Sequence, residues 1–273
     1  MKKKVILITG ASSGIGKQTA LDLLAAGYTV YGGARRVDAM SEITALGGHA
    51  LSLDVTDDVS MQAAVAQVLD ADGRIDVLVN NAGYGLYGAV EDIPMEAVRQ
   101  QIDTNIIGLA RMTQLVPPGM REQGSGRIIN ISSVGGTIHT PLGAYYHGTK
   151  FFVEGFTNTM RLEVEDRGIF MVVVAPGIID TGFGDVLGEE ITRHSGTGPY
   201  ADMVKKMISA AQNPSPSLKG SHPKVISDAI RRGIEDAKPR TIYRAGKFGY
   251  VLPLLRRILP HRMFDRAMKS MIS

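Results

Sequence analysis

The sequence predicts a single doubly wound α/β domain, in which helices cover both faces of a parallel sheet. Six short runs rich in Val, Ile and Leu alternate with longer segments whose apolar residues recur at helical spacing. The runs are almost continuously apolar, which is typical of strands buried on both faces. A chain of 273 residues, 44% of them hydrophobic, is long enough to form such a core in one domain, predicted over 1–273.

The predicted strands and helices alternate along the first 235 residues. Strands are predicted over residues 4–9, 29–34, 50–53, 75–79, 127–132 and 170–175. Helices are predicted to begin near Gly14, Asp38, Asp57, Pro94, Leu142 and His222, several with an Asp or Ser placed to cap the first turn. Ligands bind at the carboxyl ends of the strands in this fold class. The Gly- and Pro-containing segment 182–221 follows the last long strand, so we expect a mobile helical lid there, with a disordered surface excursion as the alternative.

Composition excludes several kinds of chemistry. Without cysteine, the chain can form no disulfide, thiolate nucleophile or Cys-ligated metal site, and it fits a reducing compartment. The six histidines show neither His-x-His nor His-Glu-x-x-His spacing, so no metal site is predicted. No apolar stretch approaches the roughly 20 residues that span a bilayer. We therefore expect a soluble, cytoplasmic protein.

A glycine-rich turn joins the first predicted strand to the first predicted helix. Its sequence, TGASSGIG at residues 9–16, would let the backbone approach a pyrophosphate at the helix N-terminus. The G-x-x-x-G-x-G spacing departs from the common G-x-G-x-x-G dinucleotide motif. A turn that needs glycine only for its backbone conformation is the alternative interpretation.

Two arginines follow the second predicted strand, at the position that distinguishes NAD from NADP sites. An NAD site usually carries an acid there to bind the ribose 2′-hydroxyl. Here Ala34 is followed by Arg35 and Arg36, whose guanidinium groups could bind a 2′-phosphate and stack on adenine. We interpret the pair as a binding site for the NADP(H) phosphate, and two merely solvated arginines are the alternative interpretation. Asp38 lies too far along the chain to serve an NAD site.

Tyr146 and Lys150 are four residues apart and lie on one face of a predicted helix. An ammonium beside a phenol is expected to lower the tyrosine pKa and make the phenol a usable proton donor and acceptor. Ser132 and Ser133 end the preceding strand at the edge that carries the glycine-rich turn, where a hydroxyl could bind a carbonyl oxygen. Each feature alone is common, but together they predict hydride and proton transfer at a carbonyl.

From the first strand to about Thr181, the sequence resembles the short-chain dehydrogenase/reductase family, and the stretch 84–88 resembles its hydroxysteroid and retinol dehydrogenase branches. Five motifs occur in the family's order: TGASSGIG at 9–16, LDVTD at 53–57, NNAG at 80–83, the set Ser133, Tyr146 and Lys150, and PGIIDT at 176–181. The resemblance implies a Rossmann-type fold and a nicotinamide cofactor.

The resemblance also implies roles for individual residues. Tyr146 would be the general acid/base, and Lys150 would bind the nicotinamide ribose and lower the tyrosine pKa. Ser133, which the serine-to-tyrosine spacing favours over Ser132, would orient the substrate oxygen. Asn105 would position a water in the proton relay.

Further cofactor contacts follow from the same motifs. Asp54 and Val55 would contact adenine, residues 81–83 would form the wall beside the adenosine ribose, and Thr181 would contact the carboxamide. The predicted NADP(H)-binding residues are Gly10, Ser12, Ser13, Gly14, Ile15, Gly16, Arg35, Arg36, Asp54, Val55, Asn81, Ala82, Gly83, Tyr146, Lys150, Pro176, Gly177, Ile179 and Thr181.

We therefore expect an NADP(H)-dependent oxidoreductase that interconverts a carbonyl and an alcohol on a small, largely apolar substrate, with reduction as the working direction. The mostly apolar stretches 84–88 and 134–138 are expected to line the substrate pocket. A non-catalytic NADP(H)-binding regulator and a dehydratase or epimerase on the same fold are the alternatives. A homodimer or homotetramer is expected by resemblance, and nucleic acid is not an expected partner.

The C-terminal region is basic and amphipathic. Residues 218–273 hold 13 basic and 4 acidic side chains, against 17 and 23 in residues 1–217. Apolar residues recur at helical spacing over about 247–273, with arginines between them. Helices docked on the body of the domain are the favoured interpretation, and contact with an anionic membrane surface is the alternative.

Overall fold

A computed structural model describes residues 3–180, 183–212 and 219–270, apart from the side chains of 183–187 and 211–212. Over these ranges, one parallel sheet runs in the order β3-β2-β1-β4-β5-β6-β7. The strand order reverses between β1 and β4, which is where an open α/β sheet forms its ligand crevice. The strands are β1 Val5–Thr9, β2 Thr29–Ala34, β3 His49–Ser52, β4 Val77–Asn80, β5 Gly126–Ile131, β6 Ile169–Pro176 and β7 Ile242–Ala245.

Helices cover both faces of this sheet. They are α1 Gly14–Ala25, α2 Ser41–Ala45, α3 Asp58–Asp72, α4 Met95–Ile102, α5 Leu109–Leu115, α6 Pro117–Glu122, α7 Ala144–Val164, α8 Phe183–Ser195, α9 Ala201–Gln212, α10 Lys224–Glu235, α11 Val251–Ile258 and α12 His261–Ser270. A wide π-helical turn, Asp103–Gly108, links α4 to α5 without a break.

Successive side chains of a strand point to opposite faces, and both faces are buried here. Ile6 and Ile8 pack in one apolar layer with α1 and α10, whereas Leu7 packs in the opposite layer with α3. Every residue of β1 is buried as a result. This double burial explains why the strand runs are continuously apolar rather than alternating.

The six predicted strands are confirmed, and a seventh was missed. Strand β7 is only four residues long and contains Arg244, so its apolar signal is weak. It forms because its backbone pairs with β6, from Val173 to Pro176. Sequence periodicity alone could not supply that long-range pairing.

The predicted helix starts agree with the structure to within a few residues, except that a short 3-10 turn, Val37–Met40, precedes α2. The expected capping holds at Asp57, whose carboxylate accepts the Val59 N–H. Ser13 occupies the N-cap position of α1 but makes no such bond. The first turn of α1 therefore keeps its N–H groups available.

Helices α8 and α9 form a cover over the site rather than a detached excursion. Ile191 and Val204 are fully buried in a cluster with Leu142 and Tyr146. The backbone N–H of Ala89 also donates to the Ser195 hydroxyl, 2.9 Å away. The remainder of the predicted lid, 182 and 213–218, lies outside the described residues.

Helices α11 and α12 dock on the body through one side. Leu252, Phe264 and Met268 pack against Ile138. Along the described ranges, no helix has the length and apolar character needed to cross a membrane.

Candidate active site

The glycine-rich turn is held tightly against the end of β4. Gly10 and Gly14 adopt positive φ angles, +69° and +54°, that favour glycine. A Cβ on Gly16 would lie 2.3 Å from the Gly10 carbonyl oxygen and 2.5 Å from Asn81 Nδ2. Glycine at position 16 is therefore required for α1 to approach the turn this closely.

Thr9 organises this turn, a role that the sequence analysis did not assign. Its hydroxyl accepts the backbone N–H groups of Asn81 and Ala82, both at 3.0 Å. The Asn81 amide donates in turn to the carbonyls of Thr9 and Gly10, at 3.0 and 3.1 Å. These bonds join the ends of β1 and β4, so the TGASSGIG and NNAG motifs form one structural unit.

The N-terminus of α1 has the donors that a pyrophosphate needs. No acidic residue lies in its first turn, and Ser13 leaves the first N–H groups without a side-chain cap. Gly14 and Ser13 are exposed there. The turn therefore fits a dinucleotide phosphate, with the helix dipole favouring its negative charge.

Arg35 and Arg36 follow β2 at the same edge of the sheet and are exposed. Neither guanidinium makes a hydrogen bond or ion pair with any residue in the described part of the chain. Burial raises the pKa of the Tyr84 phenol, and the positive charge of Arg35 partly opposes this. Arg35 thus lies on the rim that carries Tyr84, with donors available for an anionic group.

The residues after β3 are ordered around a short turn. The Asp54 carboxylate accepts the backbone N–H and the hydroxyl of Thr56, at 2.9 and 2.8 Å. Val55 is buried against Gly108, where a Cβ would lie 2.4 Å from the Val55 carbonyl. The structure thus brings the predicted adenine contacts to the edge of the sheet that carries Arg35.

Ser133 and Ser132 point in different directions. The Ser133 hydroxyl is within hydrogen-bonding reach of the Tyr146 phenol and accepts the Gly135 N–H at 3.0 Å. The Ser132 hydroxyl is buried and donates to the Glu154 carboxylate at 3.2 Å. This geometry supports Ser133 as the residue that faces the substrate.

Tyr146 and Lys150 lie one turn apart on α7, and both are buried. Lys150 Nζ is 5.8 Å from the centroid of the Tyr146 ring and donates to the Ile131 carbonyl at 2.9 Å. Burial lowers the pKa of this lysine to about 8. The ammonium thus sits at the carboxyl end of β5, beside the phenol.

The acidity of Tyr146 differs from the sequence-based expectation. Burial raises the pKa of its phenol, and the hydrogen bond with Ser133 lowers it by less. Lys150 was expected to lower this pKa, but the cost of removing the phenolate from water is the larger effect. In the protein without cofactor, the Tyr146 phenol is therefore protonated at neutral pH and can act as a proton donor.

Asn105 lies in the wide helical turn and is buried. Its amide donates to the Tyr84 carbonyl at 2.8 Å and to the Thr149 hydroxyl at 3.1 Å, while its oxygen accepts the Tyr84 N–H at 3.0 Å. A Cβ on Gly83 would lie 3.0 Å from Asn105 Oδ1 and 3.8 Å from Lys150 Nζ. Glycine at position 83 therefore leaves room beside Asn105 and Lys150, where the nicotinamide ribose would be held.

The motif after β6 is fixed by the C-terminal part of the chain. The Gly177 N–H donates to the Ala245 carbonyl, and a Cβ on Gly177 would lie 2.0 Å from the Lys247 carbonyl. Ile179 forms an isolated bridge with Ser221. Thr181, the predicted carboxamide contact, lies outside the described residues.

His147, which no sequence argument singled out, anchors the segment that follows Ser133. Its Nδ1 lies 3.0 Å from the Gly135 carbonyl, and its Nε2 accepts the Thr140 N–H at 3.2 Å. Burial lowers its pKa, so the ring is neutral at physiological pH. The adjacency of His147 to Tyr146 was the available signal, but its partners became visible only in the fold.

A cavity with a mainly apolar border lies near the site. The cavity, of about 450 Å³, is bordered by residues 88–91, 140–142, Tyr200 and Met203. Gly88, from one of the two stretches expected to line the substrate pocket, borders this cavity, whereas Val134 and Ile138 lie in the apolar cluster that α11 and α12 form with the body of the domain. Ala89 and Leu142 belong to the apolar cluster around Tyr146, and Tyr200 and Met203 pack against it, so the cavity lies beside that cluster.

The strand order and the position of the glycine-rich turn together define a nucleotide-binding α/β protein. The sequence profile of a family described as short chain dehydrogenase matches residues 4–191. A relative from Bacteroides thetaiotaomicron, 3-ketodihydrosphingosine reductase, is 36% identical over 272 residues, which cover 98% of each chain. The chain belongs to the short-chain dehydrogenase/reductase family and is an oxidoreductase of that family.

Solved structures agree with this assignment. A short-chain dehydrogenase from Streptomyces avermitilis superposes with a TM-score of 0.77 at 34% identity, covering 89% of this chain and 88% of its own. An alcohol dehydrogenase from the archaeon Thermococcus sibiricus, complexed with 5-hydroxy-NADP, has a TM-score of 0.72 at 25% identity and covers 90% and 97%. Neighbours are solved with NADP or with NADH. The comparisons therefore indicate a nicotinamide dinucleotide as the class of cofactor.

Proposed function

We propose that this protein is an NADP(H)-dependent reductase of an apolar ketone or aldehyde, with Tyr146 as the general acid. The observation that carries this proposal is the contact between the Tyr146 phenol and the Ser133 hydroxyl, with Lys150 one helical turn away. All three side chains lie at the sheet edge that also carries the glycine-rich turn.

The proposed mechanism assigns one task to each side chain. NADPH, when bound, would supply the hydride for the carbonyl carbon. The Ser133 hydroxyl donates a hydrogen bond to the carbonyl oxygen and so holds it beside the Tyr146 phenol. Because burial raises its pKa, that phenol is protonated at neutral pH and donates its proton to the oxygen. Lys150 would bind the ribose hydroxyls of the cofactor, and Asn105 would orient the water that returns a proton to the site.

The choice of NADP(H) is supported by Arg35 and Arg36. Two exposed guanidinium groups at the end of β2 can bind a 2′-phosphate, and no carboxylate occupies the position after Ala34. The remaining predicted contacts, from Gly10 through Ile179, are proposed to bind the rest of the dinucleotide.

The proposed substrate class follows from the side chains around Tyr146. Its ring packs against Tyr87, at 5.5 Å between centroids, and shares a cluster with Leu142, Ile191 and Val204. Apolar surroundings of this kind favour an aliphatic or polycyclic body over a sugar or a charged thioester. The relative named 3-ketodihydrosphingosine reductase suggests that a ketone on a long aliphatic chain belongs in the tested set.

Turnover of a substrate panel tests the reaction and the substrate class together. NADPH oxidation would be followed with 3-ketodihydrosphingosine, steroid ketones, retinal and simple aldehydes, with sugars as polar controls. We expect activity on the apolar carbonyls only, and activity confined to sugars would refute the proposed class. NADH in parallel reports the cofactor preference.

Tyr146→Phe separates catalysis from cofactor binding. This variant removes only the phenol oxygen, so NADPH should bind with nearly unchanged affinity while turnover falls by about a thousandfold or more. Unchanged turnover would exclude the mechanism. A wild-type protein that binds NADPH but turns over no carbonyl in the panel would favour a regulator or a different reaction on the same fold.

The proposed quaternary structure is a homodimer or homotetramer that pairs through the helices carrying Asn105 and Tyr146. Apolar side chains on the outer faces of these helices support this, since Ile107, Phe151 and Phe152 are all exposed in the single chain. Light scattering on the purified protein gives the mass directly, and a monomer would refute the pairing. The cytoplasm remains the proposed location.

A further inference from the structure

Helix α11 is turned with its apolar stripe away from the protein. Val251, Leu254, Leu255 and Ile258 recur at the spacing of one helix face. They are 52, 56, 39 and 67% exposed, whereas Leu252 on the opposite side is buried. A surface helix normally directs such a stripe into the core. Here the docking of the helix uses its shorter apolar side and leaves the longer one uncovered.

Helix α12, which contacts α11, presents a basic face. Arg262, Arg266 and Lys269 lie four and three residues apart, on one face, and all three are exposed. Arg257 of α11 is exposed as well. Arg256, by contrast, lies 5.6 Å from the Phe264 ring centroid and so helps to hold the two helices together.

The charge balance of this region is strongly one-sided. Residues 247–270 contain six basic side chains and a single acidic one, Asp265. The Asp265 carboxylate is paired with His139, at 2.9 Å. The surface formed by α11 and α12 therefore combines uncovered aliphatic side chains with an excess of basic over acidic side chains.

We propose that α11 and α12 form a docking surface for a bilayer that contains anionic lipid. The Val251/Leu254/Leu255/Ile258 stripe would enter the acyl boundary, and the arginines would face the anionic headgroups. Another copy of this chain is a poor occupant, because a self-complementary contact would bring two basic surfaces together. The basic side chains complement an anionic bilayer, whereas the exposed Phe151 and Phe152 of α7 carry no charge and are proposed to contact another copy of the chain.

The docking surface is connected to the segment that follows Ser133. Ile138 and Val134 pack in the same apolar cluster as Leu252 and Phe264. Binding to a bilayer would therefore bring this side of the active site close to the lipid, which suits an apolar substrate that partitions into membranes. That last consequence rests on the proposed function, but the docking itself does not.

Co-sedimentation with vesicles tests the docking without any turnover. The full chain would be mixed with vesicles of phosphatidylglycerol and phosphatidylcholine, and with vesicles of phosphatidylcholine alone, at low and high salt. We expect binding to the anionic vesicles that weakens as salt rises, and little binding to the neutral ones. Failure of the wild-type protein to bind anionic vesicles at low salt would overturn the proposal.

Two double variants separate the apolar and the electrostatic contributions. Leu254→Ser with Ile258→Ser should weaken binding more than about tenfold, because the aliphatic side chains no longer enter the lipid. Arg257→Gln with Arg266→Gln should weaken it on anionic vesicles by a similar factor. All four positions are exposed, so the fold should persist, which far-UV circular dichroism would verify.

A matched control uses exposed aliphatic side chains elsewhere. Leu46→Ser with Val59→Ser alters residues that are 59 and 74% exposed on a different part of the surface, so vesicle binding should be unchanged. Equal binding by the stripe variant and this control would overturn the proposal. The proposal would also be overturned if the wild-type protein did not bind vesicles and the stripe variant had a different oligomeric mass. The stripe would then be a contact between copies of the chain.

Discussion

Lys150 imposes a cost on folding that should vanish at alkaline pH. Its pKa is lowered by burial from 10.5 to about 8, so at neutral pH the folded state holds a buried ammonium that water would solvate better. Each pKa unit corresponds to about 1.4 kcal/mol, so the cost is about 3 kcal/mol. We predict that Lys150→Met, which removes the charge and keeps the length of the side chain, abolishes this cost.

The sign follows from proton linkage. Because the folded pKa lies below the unfolded one, the unfolded state binds more protons between about pH 8 and about pH 10.5, and stability rises with pH there. Below that window both states are charged and the full cost is present. Lys150→Met lacks this gain, so the wild-type protein should become about 2–3 kcal/mol more stable relative to the variant between about pH 7 and about pH 10.

Urea unfolding of both proteins without cofactor, at several pH values, measures this difference. The variant also loses the hydrogen bond from Lys150 Nζ to the Ile131 carbonyl. This loss lowers the stability of the variant at every pH, so it does not set the slope of the free energy of unfolding against pH. Lys206→Met, which removes an exposed lysine of α9, controls for the loss of any lysine. Parallel stability curves for wild type and Lys150→Met across this pH range would refute the reasoning.

Three further variants address the cofactor site. Arg35→Ala with Arg36→Ala should reduce the preference for NADPH over NADH by about 10- to 100-fold, because charge-assisted bonds to the 2′-phosphate are lost. The same ratio of kcat/KM with NADPH to kcat/KM with NADH in the variant and in the wild type would contradict this. Gly16→Ala places a methyl group 2.3 Å from the Gly10 carbonyl oxygen. Thermal unfolding should show about 1–3 kcal/mol of destabilisation, and NADPH titration should show weaker binding. A variant unchanged in both measurements would be inconsistent with the packing. Thr9→Val removes the hydroxyl that accepts two N–H groups, so urea unfolding should show a loss of about 1–3 kcal/mol, and no measurable loss would exclude that role.

Much of the fold was predictable because its signals are local. Strands β1, β4 and β6 are nearly continuous apolar runs, and each is recognisable within its own few residues. The glycine-rich turn was likewise predictable, since positive φ at Gly10 and Gly14 and the close approach at Gly16 require glycine. Strand β7 was missed because Arg244 interrupts its apolar pattern and its backbone pairing with β6 supplies the order.

The candidate site was predictable as a set of residues but not as a set of contacts. The spacing of Tyr146 and Lys150 places both on one helix face, and the structure agrees. The sequence did not reveal that Thr9 binds the residues that follow β4, or that His147 anchors the segment that follows Ser133. Both contacts join residues from different elements, so no local spacing encodes them.

Taken by itself, the sequence determined the parallel α/β architecture, the glycine turn and the residue types assembled at the sheet edge, because each depends on periodicity or backbone freedom within one segment. Only the tertiary structure decided in which direction the pKa of Tyr146 moves, and that the longer apolar side of α11 is uncovered. The physical reason is that desolvation and exposure are sums over all neighbours of a group. Those neighbours come from distant parts of the chain and exist together only in the folded molecule.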